Sequence, residues 1–376
     1  WLIEQPHASA DQIFNRFYGL SVAGQITRQN PDIERVLRAW SLALPGDEDA
    51  LLSALEQNPE LKSTVLAATP WFRQAQSESQ RKRELAGLVT RNELLSESSL
   101  ALMQLQNLQL ENGAWPWFSG MFPSEQVTAN IVAGFGFLLK TGYKPDDMAS
   151  KMVEMACGWL RSELARQQEV FIRDSLTTPN SQVLHTLYAL SFFGDGKSLS
   201  DTERFWLDKV HVPEYQESVM LQSLMATLLW RNGRTSEAAS IIATLEELLI
   251  LEDGEMRRFR LPHGPYWHQA PVESHVAALE AFREVSPQNS TIAGLENWLI
   301  QQKRTQSWVT TRATVSAVYA LASSSRELFR VEKPDPIRVM GQRLRDDKRV
   351  SGSGFVSHTW LGDELPSRLG DLIIDK

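Results

Sequence analysis

Several groups of residues in this chain carry side chains at spacings that could do chemistry. The first is Pro6-His7-Ala8-Ser9-Ala10-Asp11-Gln12, which places a hydroxyl, a carboxylate and a primary amide side by side. Ser9 and Gln12 have the i, i+3 spacing of a helix-capping box, and Asp11 falls in the first turn, where negative charge is favoured. The second is His263-Gly-Pro-Tyr-Trp-His268 with Glu273 and His275 close behind. His268 and His275 are separated across Pro271 and match neither a same-face His-x-x-x-His pair nor a usual zinc spacing, so a polar loop leading into a helix is expected, with no metal and no cofactor. The third is a scatter of carboxylates, Glu111, Asp174 and Glu273, which could serve as a glycosidase acid and base only if the fold brought two of them together. The last is Cys157, the only cysteine in the chain. Flanked by Val153, Met155 and Ala156 it reads as a small buried hydrophobe, and being alone it excludes an intrachain disulfide or a multi-cysteine zinc site.

A further motif occurs twice. Gln109-Leu-Glu-Asn-Gly113-Ala-Trp115 is echoed by Gln302-Lys-Arg-Thr-Gln306-Ser-Trp308, with Gln in place of Gly. A glutamine at a helix end can hydrogen-bond the backbone of the following turn, while the large indole packs back over the next helix start. Gln109, Gly113, Trp115, Gln302 and Trp308 are therefore read as architecture that stitches helical hairpins together. The run Trp115-Pro-Trp117-Phe118 could instead line a groove, but buried packing is the expectation.

The elements that must position these residues are helical. Up to about Ser325 apolar residues recur three and four apart, as in Ile13, Phe17, Leu20; Val183, Leu187, Leu190; Leu221, Leu224, Leu228; and Val272, Val276, Leu279. Breakers such as Thr177-Thr-Pro-Asn180 and Asn232-Gly233 punctuate them. At ~25 residues per helix and loop this length holds roughly twelve helices. So many helices cannot share one seam, whereas two concentric rings bury them all, the inner ones apolar on most faces. The expected fold is mainly α, an α/α toroid of about six helical hairpins, with an α-solenoid as the competitor. After Ser325 short alternating segments take over, Phe329 to Val331, Ile337 to Met340, Phe355 to Trp360 and Leu372 to Ile374, so the domains expected are 1–325, helical, and 326–376, a small β segment.

Composition limits the partners. Thirty-eight basic against 46 acidic residues give a net charge of −8, with no basic run to hold a phosphate backbone, so no nucleic acid is expected. The longest apolar run, Ile131 to Leu139, falls well short of the ~20 residues of a membrane span, so no membrane contact is expected within this sequence. The chain opens on Trp1 without a leader pattern and reads as a fragment or processed product.

The Pro6–Gln12 segment resembles the thioester motif Pro-x-Gly-Cys-x-Glu-Gln of the alpha-2-macroglobulin and complement family, with Ser9 at the cysteine position and Asp11 at the glutamate position. Asn112 to Phe118, Ser181 to Leu190, Tyr266-Trp267 leading to Val272–Leu279, and Trp308 to Leu321 are similar to the thioester domain of bacterial members. Gly352-Ser-Gly-Phe355 and His358 to Leu365 are similar to the β-domain that follows it there. In the family a cysteine thiolate and the glutamine carbonyl form an internal thioester that acylates attacking proteases. Ser9 cannot substitute, because a hydroxyl is barely ionised at neutral pH and an ester is a poorer acyl donor than a thioester.

The resemblance therefore implies a non-catalytic domain of a protease inhibitor or defence protein that traps its target by conformational change or protein binding. Partners would be proteases or other proteins met through the full-length chain. It implies a periplasmic or cell-surface address, with a lipid anchor in missing N-terminal sequence as one route. The alternatives are an α/α-toroid glycosidase or lyase using paired carboxylates, and a helical-hairpin scaffold.

Overall fold

The computed structural model describes residues 8–29, 91–194, 199–210, 218–252, 256–261, 267–305, 308, 310–324, 337–339, 342–343 and 372–374. Among them eleven α-helices account for most of the described residues, so the class is mainly α. In chain order they are α1 (Ala10–Gln29), α2 (Arg91–Leu108), α3 (Glu125–Lys140), α4 (Asp147–Arg173), α5 (Ser181–Leu190), α6 (Asp201–Lys209), α7 (Val219–Arg231), α8 (Thr235–Glu247), α9 (Pro271–Val285), α10 (Thr291–Thr305) and α11 (Thr311–Ser324). No described helix is long and apolar enough to cross a membrane.

Local chemistry sets where these helices begin. The side chains of Ser124, Asp146, Asn180 and Ser218 accept backbone N–H bonds at the starts of α3, α4, α5 and α7, satisfying donors that the helix cannot. Ser200 and Glu203 form a reciprocal capping box on α6, and α9 starts at Pro271, whose missing N–H costs nothing there. Gly233, at φ 78°, turns the chain between α7 and α8.

Burial separates two kinds of helix. In α7 every residue from Val219 to Leu229 is buried, and in α9 every residue from Glu273 to Phe282. By contrast α8 buries only Ala238, Ile241, Ile242 and Leu245, a single stripe. The more deeply buried helices touch one another in order: α3 on α5, α5 on α7, α7 on α9, α9 on α11, and α11 back on α3. The one-sided helices pack against them, α4 on α3 and α5, α6 on α5, α8 on α7 and α9, and α10 on α9 and α11. Gly134 allows a close approach within this core, since a Cβ there would lie 2.1 Å from the Phe14 ring of α1.

Two small antiparallel sheets complete the described structure. Strands β1 (Leu249–Leu251) and β2 (Arg257–Phe259) form a hairpin with Leu249 opposite Phe259, an element that the helical periodicity did not suggest. Near the C-terminus β3 (Ile337–Val339) pairs with β4 (Gln342–Arg343) on one side and β5 (Leu372–Ile374) on the other. The expected strands at Phe329 to Val331 and Phe355 to Trp360 lie outside the described residues. The chain divides into two compact units, Trp1–Val22 with Glu97–Leu328, and Ala23–Ser96 with Phe329–Lys376. The break after Leu328 falls at the start of the β segment, whereas residues 23–96, placed by sequence in the helical domain, group with that segment.

Candidate functional site

Ser9 and Gln12 meet at the start of α1 as helix caps. The Ser9 backbone N–H donates to Gln12 Oε1 at 2.9 Å, and the Gln12 backbone N–H donates to Ser9 Oγ at 3.3 Å. Ser9 is buried, and the next residue, Ala10, donates its N–H to the carbonyl of Trp117 at 3.0 Å, which pins the helix start to the Trp115–Phe118 loop. Both polar side chains are thus committed to the backbone, as the i, i+3 spacing implies. The single thiol of the chain, Cys157, is buried in α4 beside Arg161 and Glu203 rather than beside Gln12, and burial pushes its pKa up to about 11.

Asp11 points the other way, into a polar cluster built from alternate helices. Its carboxylate accepts from Asn15 Nδ2 at 3.0 Å and from Asn130 Nδ2 of α3 at 3.3 Å, while Asn15 also donates to Thr311 Oγ1 at 3.0 Å. Around the same small space stand His185 of α5, Glu273 of α9 and Arg312 of α11. Burial raises the Glu273 pKa; Arg312 opposes that rise and Asp11 adds to it. Burial lowers the His185 pKa and the Arg312 charge lowers it further, so its imidazole is held neutral, with Arg312 Nη2 3.4 Å from Nε2 and the Trp267 ring 4.9 Å away. The enclosed space is about 50 Å³, room for a water or two and far below the 300–1,000 Å³ of ordinary ligand pockets.

A second polar cluster lies further along the same helices. Glu280 of α9 accepts from Tyr319 Oη at 2.8 Å, from Arg231 Nη2 at 2.8 Å and from Lys140 at 3.2 Å, and it also takes the Tyr188 hydroxyl. Glu284 holds Arg231 through a bidentate pair at 2.7 and 3.0 Å. Burial, reinforced by Glu280, drives both tyrosine pKa values well up, so they stay protonated donors. Every charge in this cluster has a partner, which makes it a packed polar plug rather than a reactive centre.

The twice-occurring Gln/Trp motif sits at helix ends. Gln109 Nε2 donates to the Gly113 carbonyl at 2.8 Å and to the Met152 carbonyl of α4 at 2.9 Å, and the fully buried Trp115 donates its indole N–H to Leu105 of α2 at 2.9 Å. Gly113 has φ 92°, and a Cβ there would lie 2.4 Å from the Met155 carbonyl oxygen. In the second copy Trp308 is buried with its indole N–H 3.3 Å from the Leu299 carbonyl, while Gln302 is half-buried in α10.

Of the residues considered for acid and base chemistry, Glu111 and Asp174 are exposed and Asp174 pairs with its neighbour Arg173, leaving only Glu273 buried. His275 is fully engaged: Nδ1 donates to the Pro271 carbonyl at 2.7 Å, Nε2 accepts the Phe259 N–H at 3.0 Å, and its ring stacks on Trp298 at 3.6 Å. Among the described residues no group of three or more His, Cys, Asp or Glu could hold a metal ion, and His263 lies outside them. Sequence reasoning did not single out Asn15, Asn130, Arg312 or the ring of His185. Their signal was a polar residue on an otherwise apolar helix, as with His185 inside Val183–Leu190. No protein-family model matches this chain. No curated protein matches it either.

Proposed function

We propose that this chain is a non-catalytic, thioester-type domain of an alpha-2-macroglobulin-like protein, an α/α toroid that kept the architecture and lost the acyl-transfer chemistry. The observation that carries the reading is the start of α1. Where the resemblance places a cysteine and a glutamine joined as a thioester, Ser9 and Gln12 cap the helix reciprocally. The cyclic packing order of α3, α5, α7, α9 and α11, with one-sided helices outside, supports the toroid. Such a domain acts within its full-length protein by binding or conformational trapping of a protease in the periplasm or at the cell surface. The small volume at Asp11 and Glu273 speaks against the glycosidase alternative, since a sugar ring does not fit about 50 Å³.

Methylamine treatment followed by intact-mass measurement tests the missing thioester. The expected result is an unchanged mass, and incorporation at Gln12 overturns the reading. In the full-length protein, captured protease should be released by SDS; an SDS-stable adduct would show covalent trapping instead.

A further inference from the structure

A large cavity among the described residues lies away from the Ser9–Asp11 region. It measures about 930 Å³ and opens between the C-terminal ends of α3, α5 and α7 and the N-terminal halves of α4 and α6. Its inner wall is apolar, with Phe135, Leu139, Val153, Leu187, Leu190 and Phe192. That volume is at the upper end of the range that holds small organic ligands, and an apolar wall with a few polar groups at the mouth is their usual setting.

The polar groups at the mouth are not equivalent. Arg231 is fully used, bound to Glu280, Glu284 and Ser191. Glu203 is shared, one oxygen accepting the Ser200 N–H of the α6 capping box at 2.8 Å and the other accepting from Arg161 Nε at 3.3 Å. Arg161 is thus ion-paired to Glu203 through Nε alone, and among the described residues neither terminal guanidinium nitrogen makes a hydrogen bond. With its side chain 42% exposed, Arg161 presents a planar fork that suits a carboxylate or sulfonate in bidentate fashion. The other acidic side chain on the wall, Glu154, belongs to an exposed residue, so water screens its charge.

We propose that this cavity binds an amphipathic monoanion, its apolar body against Phe135, Leu187 and Phe192 and its acidic head on Arg161. The site is independent of the thioester region and of the inhibitor reading. Calorimetric titration with decanoate and with neutral decanol tests it, on the wild type and on two variants at exposed positions, Arg161→Gln and Ser150→Trp, whose folding is checked by circular dichroism. The expected result is saturable decanoate binding below about 1 mM, weakened at least fivefold by Arg161→Gln while decanol binding is unchanged. Ser150→Trp, which narrows the mouth, should weaken both. Absence of decanoate binding to the wild type overturns the proposal. So does an Arg161→Gln variant that binds decanoate as tightly as the wild type, or a Ser150→Trp variant that leaves both ligands unaffected.

Discussion

His275 links three elements, and its protonation should weaken the fold in acid. Its Nε2 accepts the Phe259 N–H of β2, its Nδ1–H serves the Pro271 carbonyl in the first turn of α9, and its ring stacks on Trp298 of α10. A proton on Nε2 would set two donors against each other at 3.0 Å. With the ring only 1% exposed, water cannot relieve the conflict, and burial lowers the pKa from 6.5 to about 4. In the unfolded chain the group titrates near 6.5, so below that pH the unfolded state binds the extra proton and the folded state does not. The stability from neutral His275 is therefore complete above pH 6.5 and falls away as pH drops toward 4. Each tenfold in proton affinity is worth about 1.4 kcal/mol, which makes the loss about 3 kcal/mol by pH 4. Urea unfolding at a series of pH values from 7.5 to 4 measures it, run beside His275→Gln. The variant starts less stable but lacks this titration, so the gap between the two proteins should narrow steadily below pH 6.5. A gap that stays constant across that window would refute the reasoning.

Other expectations concern the helix-end motif and the helix cap. Trp115→Ala removes a fully buried indole and its bond to Leu105, and should cost about 3–5 kcal/mol in chemical denaturation. Gly113→Ala adds a Cβ at φ 92° against the Met155 carbonyl and should cost about 2 kcal/mol or more, whereas an ordinary surface Gly→Ala change would be nearly neutral. Ser9→Ala deletes the acceptor for the Gln12 N–H and should lower stability by about 1 kcal/mol, with methylamine still failing to add mass. A Ser9→Ala protein as stable as the wild type would mean that the cap contributes nothing.

Local patterns were legible in the sequence because their causes are local. The Ser9/Gln12 cap depends on residues three apart, and the helix start at Pro271 depends on neighbours within one turn. The apolar spacing likewise marked the helices, but that Val219–Leu229 is covered all round while α8 buries one stripe was decided by packing. The β1–β2 hairpin escaped because three-residue strands carry too few positions for a period, and its order depends on the Phe259 N–H reaching His275.

What the sequence determined by itself is that no thiol stands near Gln12 along the chain, the lone cysteine falling on another helix. Only the tertiary structure decided what surrounds Asp11. Asn130, His185, Glu273 and Arg312 come from four separate helices, and packing alone sets their distances, hydrogen bonds and pKa shifts. The open fork of Arg161 at a large apolar cavity is likewise invisible in the sequence. Its charge is held by a single contact to Glu203, which is also drawn into its own helix cap.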